Sequence, residues 1–140
     1  MTLESGAPIR AELVGYGATT DAYHLAAPRP DGRVVERAMR AALAEAGIAA
    51  DRVDYVNAHG TSTPLNDATE VGVIRRVFGE AVGRLPVSST KSMTGHMLAA
   101  AGAVEAMVAV ESCRTGLVPP TVNCDDAEDE AINFVPHKVQ

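Results

Sequence analysis

Two histidines and a lysine are the residues of this chain whose types and spacing point to chemistry. His59 lies in NAHGTST, residues 57–63, where a predicted strand leads into a helix. Lys91 and His96 lie in TKSMTGH, residues 90–96, at the same point of the next strand–helix unit. Ligands of layered α/β folds bind beyond the carboxyl ends of strands. A histidine there can exchange a proton with a substrate, although each histidine taken alone is also compatible with a packing or backbone-binding role.

The position of His96 predicts its charge state. The sequence places it in the first turn of a long helix, where the positive end of the helix dipole disfavours an imidazolium ion. We therefore expect His96 to be neutral. A neutral imidazole can donate a hydrogen bond to a carbonyl oxygen or a developing enolate.

A single carboxylate interrupts the apolar helix that follows. Glu105 is the only charged residue from Met97 to Val110, and its neighbours three and four residues away are small or apolar. A helix that is apolar all round is typical of the centre of a fold, and a buried carboxylate needs a partner. Lys91 is the nearest candidate, so we expect an ion pair that supports the loop carrying His96.

The order of predicted elements indicates an α/β fold. Apolar periodicity, caps and turn residues predict four strands and three helices. The strands are Arg10–Gly15, Val53–Asn57, Leu85–Ser89 and Ile132–Val135; the helices are Arg33–Ala46, Pro64–Phe78 with Thr63 as its cap, and Gly95–Thr115. Residues 18–32 and the acidic stretch 125–130 are predicted loops. Alternation of this kind is typical of a layered, parallel or mixed sheet in one unit spanning residues 1–140.

Composition excludes several classes of protein. A 140-residue chain that is 46% hydrophobic and 21% charged is globular rather than disordered. The net charge of −6 argues against nucleic-acid binding. The sequence has neither an apolar run long enough for a membrane helix nor a signal peptide, so a cytoplasmic location is expected. Cys113 and Cys124 show no metal-binding spacing and are expected to be free thiols.

The two motifs together resemble a known family. NAHGTST and SSTKSMTGH followed by AAGAVEA are closely similar to the C-terminal half of β-ketoacyl-[acyl-carrier-protein] synthases, the condensing enzymes of fatty-acid synthesis. The similarity extends over nearly the whole chain, through AELVGYG, TDAYHLAAP, PPTVN and NFVPH. The sequences of the two motifs resemble those of the elongating type II fatty-acid enzyme more than those of modular polyketide ketosynthases, which more often read EAHGTGT and KSNIGH. A discrete aromatic-polyketide ketosynthase stays open.

The resemblance implies a thiolase-like α/β fold. The chain would be a C-terminal half-domain with a layered mixed sheet and buried helices, and would lack the final strands. It would contribute to a Cys-His-His site, in which a cysteine holds the acyl chain and carrier-bound malonyl loses CO2 and attacks it. By match, His59 and His96 stabilise the malonyl thioester oxygen as its enolate forms. Lys91 matches the family lysine, and Glu105 the glutamate of its network.

Further residues match binding positions of the family. Thr61 and Thr63 match residues that hydrogen-bond the phosphopantetheine arm of the substrate. Asn57 and Glu105 match positions that hold a structural Na+ or K+ in some members. No other cofactor is implied.

The resemblance also implies partners. The nucleophilic cysteine of the family lies in an N-terminal half that this sequence does not contain, and neither Cys113 nor Cys124 matches it. We therefore expect no condensation by this chain alone. The expected partners are acyl carrier protein and a Cys-bearing N-terminal half or an intact synthase, with the complete enzyme a dimer and with neither nucleic acid nor membrane. A non-catalytic partner and a carrier-binding fragment remain the alternatives.

Overall fold

A computed structural model describes residues 6–25, 27–127 and 129–140. Its regular elements are four helices and two short strands among the described residues. The helices are α1 Arg33–Ala46, α2 Pro64–Phe78, α3 Lys91–Thr94 and α4 Ala101–Thr115; the strands are β1 Val56–Asn57 and β2 Val87–Ser88. Short 3-10 helices occupy Ala50–Arg52, Gly79–Arg84 and Leu98–Ala100. The predicted bounds of α1 and α2 are confirmed.

The sheet is parallel and sets two loops beside each other. Val56 pairs with Val87, and Asn57 pairs with Ser88. The ladder continues one step further, where Ala58 N–H donates to the Ser88 carbonyl at 2.9 Å. Because the strands are parallel, the segments that follow β1 and β2 leave the sheet at the same edge.

Helix α2 forms the centre of the core. Its buried side chains are Thr69, Val73, Ile74, Val77 and Phe78. They pack with Leu85 and Val87 near β2 and with Ile132 of the last segment. Helix α1 has no fully buried residue and lies against α2 through partly buried Met39 and Leu43. An apolar face on α2 therefore organises the fold.

The predicted strand Arg10–Gly15 is wrong. Residues 7–21 form no helix or strand and pair with no other described segment. They cross α1 instead, where Tyr16 N–H donates to a Glu45 carboxylate oxygen at 2.7 Å. A Cβ on Gly17 would lie 1.9 Å from the Ala38 carbonyl oxygen, so only glycine permits this close crossing.

The other predicted strands are shorter than expected. Val53–Asn57 contributes only Val56 and Asn57, and Leu85–Ser89 only Val87 and Ser88. Ile132–Val135 is not a strand, because this segment makes single bridges only, Pro86 with Asn133 and Thr121 with Pro136. The described residues of the predicted loop 18–32 form no helix or strand. Ala26 lies outside the described residues.

The predicted long helix Gly95–Thr115 is wrong at its beginning. Gly95, at φ 71° and ψ 174°, ends α3, and a separate 3-10 turn precedes α4. The prediction that this helix is buried is also wrong for the described chain, because only Ala101 and Ser112 of α4 are buried. Met107 is 61% exposed. The apolar character of α4 therefore lies largely on an open face.

Truncation of one apolar side chain in α2 and one in α4 should show that the two helices contribute differently to stability. Ile74 is 1% exposed, so Ile74→Ala should lower the free energy of unfolding by about 2–5 kcal/mol through lost burial and a cavity. Met107→Ala, at the open face, should change it by less than about 0.5 kcal/mol. Urea denaturation followed by circular dichroism measures both. Equal losses would contradict a core centred on α2.

Candidate active site

The two histidines meet at the edge where the strands end. His59 follows β1 after Ala58, and His96 follows the glycine that ends α3. Their ring centroids are 5.4 Å apart, with the ring planes at 86°. Both side chains are exposed. The structure thus places two imidazoles in edge contact at an accessible surface.

The backbone fixes the tautomer of a neutral His96. Leu98 N–H donates to Nδ1 of His96 at 3.1 Å. A nitrogen that accepts a hydrogen bond carries no proton, so the neutral ring holds its proton on Nε2. Leu98 has φ 51°, a left-handed conformation that is uncommon for a side chain of this size. His96 precedes α4 rather than lying in its first turn, so the structure does not place it at the helix end that the sequence predicted.

Lys91 and Glu105 form the ion pair expected from the sequence. Nζ of Lys91 donates to Oε1 of Glu105. The lysine side chain is 5% exposed and that of the glutamate 19%. Lys91 is the first residue of α3, and Glu105 lies one turn into α4. The pair therefore joins the two helices on either side of the His96 loop.

Glu70 is a site residue that sequence reasoning missed. Its two carboxylate oxygens accept hydrogen bonds from the backbone N–H groups of His59 at 2.7 Å and Gly60 at 2.8 Å. Asn66 donates to the same carboxylate at 3.3 Å. The available signal was an acidic residue two turns into the helix that follows the histidine loop, where unpaired N–H groups attract a carboxylate.

A cavity of about 480 Å³ lies between the two loops. Its wall includes Gly60, Thr61, Glu70, Lys91, His96 and Cys124. Backbone, hydroxyl and charged groups thus converge on one concave space, which is the usual form of a ligand or substrate site. His59, Thr63, Asn57 and Glu105 are not part of this wall.

Comparison with known proteins decides the family. A profile of the β-ketoacyl synthase C-terminal domain matches residues 10–125. The chain belongs to this family. It is 50% identical to 3-oxoacyl-[acyl-carrier-protein] synthase 2 of Staphylococcus aureus (strain COL) over 136 residues, which is 96% of this chain and 33% of that protein. The chain therefore spans about a third of the length of such relatives.

Solved ketosynthase structures share the fold. One is a type II PKS acyl-carrier protein in complex with its ketosynthase bound to the hexaketide, with a TM-score of 0.89 and 37% identity over 99% of this chain and 34% of the matched chain. Another is the ishigamide ketosynthase/chain length factor, with a TM-score of 0.89 and 36% identity over 99% and 34%. The described part of this β-ketoacyl synthase domain is thus a thiolase-like α/β half-domain. Among its described residues, no helix is long and apolar enough to cross a membrane.

The hydroxyl groups of Thr61 and Thr63 lie side by side at the histidine loop of the synthase domain. The Oγ1 atoms of Thr61 and Thr63 are 2.9 Å apart. Thr63 occupies the cap position of α2 as predicted, but its hydroxyl makes no capping hydrogen bond. Thr63 is exposed and Thr61 is half-buried.

The buried amide of Asn57 has no partner within the described chain. Both Oδ1 and Nδ2 are shielded from solvent and make no hydrogen bond. An amide oxygen is a suitable ligand for a hard monovalent cation. No group of three or more His, Cys, Asp or Glu side chains that could hold a metal occurs in the described ranges.

The two cysteines differ in surroundings. Cys113 is exposed on α4, whereas Cys124 is half-buried in the cavity wall. Burial raises the pKa of the Cys124 thiol, and the nearby Asp125 carboxylate adds to the rise. Because the thiolate is the nucleophile, Cys124 is a poor candidate for a reactive cysteine, although the same cavity wall includes His96.

Removing the partner of Lys91 should destabilise the synthase domain. Glu105→Gln leaves a buried ammonium group without its carboxylate, so we expect a loss of about 2–3 kcal/mol, at the lower end for such pairs because Glu105 keeps some contact with water. Glu111→Gln, which breaks the exposed pair with Arg114, is the matched control and should cost less than about 0.5 kcal/mol. Urea denaturation compares them, and equal effects would contradict a structural role for the pair.

Thiol labelling should distinguish the two cysteines. A raised pKa leaves less thiolate at a given pH, so Cys124 should react with iodoacetamide more slowly than exposed Cys113 at pH 8. Its rate should go on rising at pH values above the usual range of a free thiol. Mass spectrometry of peptides sampled over time measures both. Faster labelling of Cys124 than of Cys113 would show an activated thiol instead.

Proposed function

We propose that this chain is the C-terminal part of a 3-oxoacyl-[acyl-carrier-protein] synthase and supplies His59, His96 and Lys91 to a decarboxylative Claisen condensation. The observation that carries the proposal is the edge contact of the two imidazoles at 5.4 Å beside the buried Lys91–Glu105 pair. Its relatives are synthases and ketosynthases by name, which supports the reaction class. Fatty-acid and discrete polyketide pathways both fit.

The proposed chemistry begins with malonyl thioester. The bond to its carboxylate carbon breaks, CO2 leaves, and the electron pair moves toward the thioester carbonyl to form an enolate. Nε2–H of His96 donates to that oxygen, where negative charge develops, and His59 supports it from the neighbouring loop. Fixed neutral donors lower the barrier because they need little reorganisation as the charge forms.

The second half of the reaction needs a nucleophilic cysteine from a partner. The enolate carbon attacks the acyl thioester held by that cysteine, a carbon–carbon bond forms, and the cysteine thiolate leaves. Neither cysteine of this chain suits the step, since Cys113 lies on α4 away from the cavity wall and the pKa of Cys124 is raised. The proposed partner is a Cys-bearing N-terminal part or an intact synthase.

Lys91 is proposed to act beside the histidines. Lys91 lines the cavity that His96 also lines, and its ion pair with Glu105 joins the two helices on either side of the His96 loop. The pair also resists rotation of the His96 loop away from its partner ring.

The proposed substrate carrier is phosphopantetheine. The adjacent hydroxyl groups of Thr61 and Thr63, one of them at the cavity wall, can donate to the amide carbonyls of such an arm. The ketosynthase with a TM-score of 0.89 is bound to a type II PKS acyl-carrier protein, which supports acyl carrier protein as a partner of this chain. Neither nucleic acid nor membrane is part of the proposal, and a cytoplasmic location stays a prediction.

A structural Na+ or K+ is part of the proposal as well. The unpartnered Asn57 amide fits a monovalent cation, and Asn57 with Glu105 would hold it. The cation would supply a fixed positive charge at the end of β1. No other cofactor is required by the chemistry above.

A non-catalytic partner of a synthase is the second candidate. It is favoured by the open apolar face around α4, where Leu98, Met107 and Leu117 are exposed. Large exposed apolar side chains that lie together are typical of an interaction site, and Met107 and Leu117 line one shallow groove on α4. The ketosynthase/chain length factor structure shows that a relative of this fold assembles with a second chain, and we propose a dimer for the complete enzyme.

Malonyl-carrier decarboxylation tests the proposal. The purified chain should show no turnover alone and should gain turnover when a Cys-bearing N-terminal part is added. His96→Ala should lower the rate about 100-fold, because one donor to the developing oxyanion is lost. His137→Ala, at an exposed histidine paired with Asp125, is the control and should leave the rate unchanged. Release of radiolabelled CO2 measures the reaction.

Two outcomes would change the conclusion. Turnover by the isolated chain would contradict the need for an external cysteine. Absence of turnover in both samples, with the chain folded by circular dichroism and bound to the added part, would favour the non-catalytic partner.

A further inference from the structure

A chain of hydrogen bonds connects the last described segment to the His59 loop. Ser89 Oγ donates to the Gly60 carbonyl at 2.7 Å. Ser89 N–H donates to Oγ1 of Thr121 at 3.1 Å. Thr121 N–H in turn donates to the Val135 carbonyl at 2.9 Å. Four segments that are distant in sequence are thus joined in series.

Gly60 is held through both of its backbone polar groups. Its N–H is bound by the Glu70 carboxylate and its carbonyl by Ser89. A Cβ at this position would lie 2.5 Å from Cβ of Ser89, and φ is +38°. The residue after His59 therefore has neither the space nor the free hydrogen-bonding groups to move unless Ser89 moves.

Val135 anchors the far end of the chain in a strained conformation. It is completely buried and has φ 51°, although it is β-branched and precedes Pro136, both of which disfavour this region. Its N–H donates to Oδ1 of Asn133 at 3.0 Å while its carbonyl binds Thr121. Strain of this kind persists where the surroundings over-determine it, and it often marks a functional constraint.

Ser92 joins the segment of Ser89 to the segment of Thr121 a second time. Its Oγ accepts from Val122 N–H at 3.0 Å and donates to the Ser89 carbonyl at 2.8 Å. This link attaches residues 121–122 to the Lys91 turn without touching Gly60. The segments therefore stay joined through Ser92 when the Ser89 hydroxyl is removed, and the hydroxyl of Ser89 affects the histidine loop through Gly60.

We propose that Ser89 and Thr121 are positioning residues that set the distance of His59 from His96. Thr121 holds the Ser89 backbone, and the Ser89 hydroxyl holds the Gly60 carbonyl, so the backbone of His59 is fixed between Glu70 and Ser89. The imidazole then has one restricted range of positions relative to His96. The kinetic part of this inference rests on the proposed function, whereas its structural part does not.

Hydrogen exchange in the folded chain tests the structural part. Ser89→Ala removes the donor to Gly60, and Thr121→Val removes the acceptor for Ser89 at nearly constant volume. Each should speed exchange of the Gly60 amide by about 10-fold, because the loop opens more readily without the Ser89 contact even though the Gly60 N–H itself stays bound to Glu70. Thr121→Ser keeps the hydroxyl and should restore exchange to within about twofold of the original rate.

Kinetics of the assembled synthase test the positioning role. In the chain combined with its Cys-bearing part, Ser89→Ala and Thr121→Val should lower kcat for malonyl-carrier decarboxylation about 10-fold with KM changed less than about twofold, because His59 is displaced while the carrier still binds. Thr121→Ser should restore kcat. Thr69→Val is the matched control, since within the described ranges this buried hydroxyl binds the Leu65 carbonyl of its own helix and no other group.

Each result decides the inference. Unchanged Gly60 exchange in both Ser89→Ala and Thr121→Val would overturn it, whatever the kinetics. Faster exchange with unchanged kcat would show a purely structural link and would overturn the positioning role. If the assembled wild-type protein has no decarboxylase activity, the proposed function fails. The proton resonances of the two imidazoles then decide, and they should shift in Ser89→Ala and not in Thr69→Val.

Discussion

The parallel register of β1 with β2 is the constraint on which the rest of the structure depends. Pairing of Asn57 with Ser88 brings the segment carrying His59 beside the segment carrying Lys91 and His96. A shift of one residue would turn alternate side chains to the opposite face of the sheet. It would also separate Gly60 from Ser89, whose close contact requires the absence of a side chain on Gly60. The position of each histidine is therefore set first by backbone pairing.

Among the described residues, the charged groups of Glu70 and Lys91 hold the two loops that follow that pairing. Glu70 of α2 accepts hydrogen bonds from two N–H groups of the histidine loop, and Lys91 forms an ion pair with Glu105 at the other loop. Each charged group loses hydration on burial, and its partner compensates for that loss only in one geometry, so these contacts favour one arrangement more than they add stability. Tyr55 follows the same logic, since burial and the Glu105 carboxylate raise the pKa of its hydroxyl, which binds Ser88 as a neutral group.

Sequence reasoning predicts the parts of this fold that local physics determines. The bounds of α1 and α2 follow from apolar periodicity, Gly47 and Pro64. The Lys91–Glu105 pair follows from one carboxylate in an apolar helix. Strand Arg10–Gly15 could not be predicted correctly, because strand formation depends on a partner that local sequence does not reveal. The split before α4 depends on the conformation of Gly95 and Leu98, which the apolar pattern conceals. Glu70 and Ser89 act through backbone groups across the fold, so their spacing carries little signal.

The attachment of α1 has a consequence for how the molecule opens. This helix has no fully buried residue, and Glu36 binds both Arg40 and Arg76, while Arg76 also reaches the Asp31 carbonyl. The hydrogen bond from Arg76, assisted by that from Arg40, lowers the pKa of the Glu36 carboxyl. A carboxyl group whose pKa is lowered by folding stabilises the protein at pH values above the ordinary pKa of the group. This stability is lost as the pH falls through the pKa of the folded state. The contact of helix α1 with α2 is therefore sensitive to salt and to strong rather than mild acid, because the Glu36 carboxylate becomes protonated only below its ordinary range.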